Sequence, residues 1–147
     1  MTHEDSGHYA AKHPQGTTLN EQIAEMIREK SPGSGLACGM GEKISKELKV
    51  EISEVGTTAD LLEIKITKCQ LGLFGYSGKP NHGKDIQAAD SVSDEMKRAL
   101  DEAAENGVVT CAALWRIADR LGVKRKAVSA ACDTLKLKIR VCQLGAF

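Results

Sequence analysis

Residues 111–141 read CAALWRIADRLGVKRKAVSAACDTLKLKIRV, and their apolar period changes twice. Leu114, Ile117, Ala118 and Leu121 recur at three- and four-residue spacing, which places them on one face of a helix over 111–121. Gly122-Val123 interrupts the pattern as a tight turn. Helical spacing resumes over 124–135, with Val128, Ala131 and Leu135 inward. From Leu135 to Val141 apolar and basic residues alternate strictly, the period of a half-buried strand. Upstream, residues 91–105 carry Met96, Leu100 and Ala103 on one stripe, Asn106-Gly107 ends that helix, and Val108-Val109-Thr110 is a very short strand. The order is helix, short strand, helix, turn, helix, strand.

The same stretch occurs twice. Shifting the chain by 73 places Cys38 on Cys111, Ile44 on Ile117, Val55 on Val128, and Cys69-Gln70-Leu71-Gly72 on Cys142-Gln143-Leu144-Gly145. The ungapped match gives 14 identities over the 39 positions 36–74, where ordinary composition would give roughly two or three. Thr18-Leu-Asn-Glu21 falls on Ser91-Val-Ser-Asp94, and both fit a helix-start signature. The expected organisation is a flexible tail (1–17), unit 1 (18–74), a breaker-rich linker (75–90) and unit 2 (91–147).

The 147 residues carry zero formal charge, but the halves differ. Unit 1 has seven Lys/Arg against nine Asp/Glu, and unit 2 has ten against seven. Neither a signal peptide nor an apolar run of membrane-spanning length is present, so a cytoplasmic protein without a membrane partner is expected. A phosphate loop, a nucleophile–base spacing and a carboxylate pair in a recognisable frame are all missing, which points away from an enzyme and from a cofactor.

Ile117-Ala-Asp-Arg-Leu-Gly-Val123 followed by Val128 resembles the helix-turn-helix core of winged-helix DNA-binding regulators. In that pattern a small residue lies where two helices cross (Ala118), a glycine makes the turn (Gly122), and a β-branched residue anchors the recognition helix (Val128). The resemblance covers about 20 residues per unit and implies a mainly α fold with short strands (α+β), built as two tandem winged-helix-like three-helix units. Unit 1 departs from it: Ser45 replaces the small residue and Lys49 the turn glycine, at a left-handed cost of roughly 1 kcal/mol. Unit 2 ends at Phe147, too early for a wing hairpin. The alternating strand then has two candidate partners, the short strand before helix 2 or its own twin. The phrase Cys-Gln-Leu-Gly-x-Phe also resembles one in small winged-helix proteins of anaerobic microbes, which implies no known activity.

A recognition helix meets the major groove with its first turn. In unit 2 that turn is Lys124-Arg125-Lys126, with Ser129 one turn on; in unit 1 it is Glu51-Ile52-Ser53-Glu54. Because phosphate neutralisation dominates affinity, unit 2 is the expected reader. Arg116 and Arg120 add charge on its second helix, and Lys136, Lys138 and Arg140 share the outer face of its strand. The expected function is DNA binding in transcription regulation, a homodimer spanning two half-sites. The bland alternative is a solvated basic face. Two other readings stay open: a protein-interaction module or accessory subunit of a redox complex, and a thiol-based sensor.

Trp115, Phe74, Tyr76 and Phe147 are candidate interface residues; the twin of Trp115 is Glu42, a type rarely buried unpaired. Plugging each unit's own small core is the competing reading. Cys38 and Cys69 are spaced like Cys111 and Cys142, and each pair brackets a helix-turn-helix. Four thiolates can hold a metal, but with no short-spaced ligand pair the stronger reading is core packing. His3, His8 and His13 recur in the tail, where a solvated segment is the simpler reading.

Overall fold

The computed structural model describes residues 7–33 and 35–147; His3 lies outside them. The fold is mainly helical with short strands and forms two compact units. In unit 1, α1 (Glu21–Lys30), α2 (Cys38–Leu48) and α3 (Ile52–Leu61) pack on one another, with β1 (Leu36–Ala37) and β2 (Ile66–Thr67) beside them. Unit 2 holds one helical turn, α4 (Pro80–Gly83), then α5 (Asp94–Ala103), β3 (Val108–Thr110), α6 (Cys111–Leu121), α7 (Arg125–Leu135) and β4 (Lys138–Arg140).

The offset of 73 is written into the backbone. It carries the first residues of α1, α2 and α3 onto those of α5, α6 and α7. It also pairs four left-handed positions: Lys49 with Gly122, Glu63 with Lys136, Lys68 with Val141, and Gly72 with Gly145. Each short sheet is a parallel pair, with Leu36 opposite Ile66 in one and Val109 opposite Ile139 in the other. The alternating strand thus takes the short strand before helix 2 as partner. Parallel strands need a long crossover, and the two intervening helices supply it.

The apolar stripes read from the sequence form the cores. Ile23, Ile27, Leu36, Ile44 and Val55 are fully buried in unit 1, and Leu100, Leu114 and Val128 in unit 2. The helix starts differ from expectation. Asn20 and Ser93 are the caps, accepting from Ile23 N–H and Met96 N–H, two residues past Thr18 and Ser91. A cap must sit where its oxygen reaches the N3 amide, and only these residues do.

The compact units do not follow the expected boundaries. Unit 1 comprises the described residues up to Cys69 plus Gln143–Phe147, and unit 2 is Gln70–Cys142. The phrase closing each repeat is therefore built into the other repeat's body. Leu144 and Ala146 are buried in unit 1, and Leu71 in unit 2. Gly56 is the seat for Leu144: a Cβ there would meet the Leu144 carbonyl oxygen at 2.1 Å.

The described part of the expected tail, from residue 7 onward, and the expected linker are structured arms. Tyr9–Lys12 forms a 3-10 turn whose Tyr9 is buried. Glu63 accepts from the Tyr9 and Ala10 amides, at 2.9 Å each. Buried Asp60 meets His13 Nε2 at 2.8 Å and Lys12 Nζ at 3.1 Å. In unit 2 the matching Asp133 meets Lys84 Nζ at 3.0 Å, and Ala89 is tied to α7 through the Ala130 carbonyl and the Thr134 hydroxyl. Each arm thus clasps the third helix of its own repeat. The two amide hydrogen bonds hold the Glu63 carboxyl below its ordinary value of 4.5. A carboxyl depressed by folding stabilises fully above its unfolded pKa and loses that effect as pH falls through the folded value. The first arm is accordingly expected to release in acid below pH 4.5, seen as collapse of the Tyr9 and Ala10 amide NMR shifts while α1–α3 signals persist. Unchanged shifts down to acid unfolding would refute it.

Lys49 (φ 56°) closes α2 in the conformation Gly122 (φ 66°) takes after α6. Val141 (φ 59°) is β-branched, 64% exposed and also left-handed. Because a Cβ is penalised there, Lys49→Gly and Val141→Gly are each expected to stabilise the protein by about 1 kcal/mol. Chemical denaturation measures this, and a lower midpoint for either variant would contradict the strain assignment.

Candidate nucleic-acid interface

The turn between α6 and α7 sets the geometry of the site. Ala118 is 1% exposed and Val128 fully buried where α6 packs on α7, with Gly122 left-handed between the two helices. Thr110 caps α6 by accepting from Ala113 N–H. Lys124 occupies the corresponding position before α7 and makes no side-chain cap there.

The structure divides the nine sequence candidates. Lys124, Arg116 and Arg120 are exposed, as are Lys136, Lys138 and Arg140. Along β4 the neighbours Leu137 and Ile139 are only partly exposed, so the alternation survives. The remaining three are engaged within unit 2. Ser129 is completely buried, which removes it as a groove contact. It lies on the buried side of α7, next to Val128 and one turn beyond Arg125. The Arg125 guanidinium lies 3.7 Å from the centre of the Trp115 ring and donates to Gln70 Oε1 at 2.8 Å. Lys126 meets Asp85 Oδ2 at 2.6 Å and stands 4.5 Å over the Tyr76 ring.

Electrostatics reinforce that second clasp. The hydrogen bond from Lys126, then that from Lys79, holds the Asp85 carboxyl below its ordinary range, and Asp85 pushes the Lys126 ammonium up. The chain matches no protein-family model, and no curated protein or solved structure is significantly similar to it. The site is therefore read from its own residues.

Trp115 is buried under Arg125 in unit 2, so it is not an exposed docking residue. Its partner could not be read from helical spacing, because the cation–π contact comes from the next helix. Phe74 and Tyr76 are half-buried in unit 2, and Phe147 is 38% exposed in unit 1. Sequence reasoning missed Gln70, Asp85 and Lys79. They lie in a stretch read as repeat end and linker, where no period marks a contact.

Among the described residues, no three His, Cys, Asp or Glu side chains come together as metal ligands. Cys38, Cys69 and Cys111 are buried. Burial also pushes the Cys132 thiol up to about 12, which leaves it protonated and a poor nucleophile. No described helix is long and apolar enough to cross a membrane. A groove of about 380 Å³ lies in unit 1 between Thr18–Asn20 and the first turns of α3.

Proposed function

We propose that this is a DNA-binding protein, a cytoplasmic transcriptional regulator of the winged-helix kind, that meets the phosphate backbone through its second unit. The observation carrying this reading is the set of six exposed basic side chains: Arg116 and Arg120 on α6, Lys124 at the turn, Lys136 at the end of α7, and Lys138 and Arg140 on β4. None of the six pairs with an acidic side chain among the described residues, in contrast to Lys126 and Lys84. The parallel β3–β4 pair forms no hairpin wing, so β4 takes the phosphate-contacting role. Arg125 and Lys126 are held by Gln70 and Asp85, so base reading requires that clasp to open. Binding then rests first on backbone charge and is only weakly sequence-selective.

Fluorescence anisotropy with duplex DNA at several salt concentrations tests this. Six phosphate contacts give a log–log salt slope of about −5. Absence of binding at low salt, or binding with a flat slope, would discard the proposal.

A second reading is favoured by one feature of unit 1. The groove beside α3 contains Glu54, and exposed Glu51 lies just before the same helix, which suits a basic protein segment rather than DNA. Recovery of a partner at fixed stoichiometry from the native host supports it, and unit 2 variants should leave that recovery unchanged.

A further inference from the structure

Among the described residues, three polar side-chain atoms are buried without a hydrogen-bond partner: Gln70 Nε2, Trp115 Nε1 and Ser129 Oγ. All belong to unit 2; Gln70 and Trp115 contact Arg125, and Ser129 stands one helical turn beyond it. Gln70 accepts from the guanidinium at 2.8 Å through its other amide atom. The Trp115 ring lies 3.7 Å beneath it. Ser129 is one helical turn beyond it on the same face of α7, fully buried. Buried polar groups are nearly always satisfied, so three orphans beside one cation demand an account.

The duplication supplies an internal comparison. At the matched positions unit 1 has Glu42 for Trp115, Ile52 for Arg125 and Gly56 for Ser129, while Gln143 alone repeats Gln70. The scaffold is common to both units, and this donor cluster belongs only to the second. An indole N–H and a guanidinium donate and cannot accept; an amide NH₂ donates, and a hydroxyl can. A set of donors around a fixed positive charge matches a ligand that presents several acceptor oxygens and negative charge.

We propose that Arg125, Trp115, Ser129 and Gln70 form a binding site for a small oxyanion. Arg125 and Gln70 are partly exposed and reachable from solvent, whereas Trp115 and Ser129 are buried behind them in sequence-remote and helix-inward positions. The chemistry fits either an inorganic tetrahedral oxyanion or the carboxylate of a small organic acid. The site stands independently of the DNA reading, because its test contains no DNA.

Trp115 is the only tryptophan, so its fluorescence reports the site directly. The full chain is titrated with sodium sulfate, phosphate and acetate against sodium chloride at constant ionic strength. A saturable change with sulfate or phosphate identifies a tetrahedral ligand, and one with acetate identifies a carboxylate. Ser129→Ala should weaken that binding about tenfold, and Arg125→Ile, which installs the residue unit 1 carries, should abolish it. Should Arg125→Ile fail to fold, Ser129→Ala and the ligand-dependent rise in Tm of the unaltered chain remain decisive. A response that chloride reproduces, no response at all, or Ser129→Ala binding as tightly as the unaltered chain overturns the proposal.

Discussion

Gly56→Ala is expected to lower the stability of unit 1 by about 3 kcal/mol and to release its C-terminal strap. The glycine lies on α3 within regular helix, so its role is space rather than backbone conformation. An added Cβ would stand 2.1 Å from the Leu144 carbonyl oxygen and under 3 Å from two further backbone atoms of that residue. Backbone cannot rotate away as a side chain can, so either α3 or the strap must move. If the strap moves, Leu144 leaves a buried seat between Gly41 and Gly56, and the Lys12 hydrogen bond to the Gly145 carbonyl is lost with it. Denaturant unfolding should show a lower midpoint, and backbone amides of residues 143–147 should exchange faster. Ser45→Ala, whose hydroxyl only donates to the Val50 carbonyl at the turn, should leave that exchange rate unchanged. An unshifted midpoint for Gly56→Ala would mean that the strap is not part of the unit 1 core.

The contrast between Gly56 and its twin Ser129 shows how far the sequence could be read. Local periodicity placed α6 at its observed bounds and α7 within one residue, because an amphipathic helix and a left-handed turn are short-range facts. β3 was legible at its bounds, whereas β4 takes only Lys138–Arg140 of the alternating run Leu135–Val141, because Leu135 still belongs to α7 and Val141 turns left-handed. The arms were not legible. Glu63 holds the Tyr9 and Ala10 amides across more than 50 residues, and a carboxylate bonded to backbone N–H leaves no pattern at either end. The exchange of the repeat-closing phrases is similarly silent, since Leu71 and Leu144 are identical residues that would suit either core. The basic triplet at 124–126 shows a further limit. Charge at a helix start implies exposure only locally, whereas Trp115, Gln70 and Asp85, remote in sequence, draw two of the three side chains inward.

What remains outward at Lys136 and along β4 sets the largest functional effect. Changing Lys136, Lys138 and Arg140 together to Ala is expected to weaken DNA binding by about a hundredfold near physiological salt and to reduce the salt slope by about three. The strand should survive, because its pairing with β3 runs through backbone groups, and the inward Leu137 and Ile139 are untouched. Lysines on a short edge strand also serve to keep such edges from pairing with other chains, so the same variant separates two uses of one stripe. If the stripe only guards the edge, the variant aggregates while any monomeric fraction binds DNA with the original slope. If the stripe neutralises phosphates, affinity falls equally on every duplex tested and the slope falls with it. A loss confined to one DNA sequence would fit neither, and would place base recognition on β4 instead of α7. Asp85→Ala provides the complementary change. It frees Lys126, so it should raise affinity and steepen the slope by about one; in the β4 triple variant the same gain should appear on top of the loss, because the two act on separate phosphates.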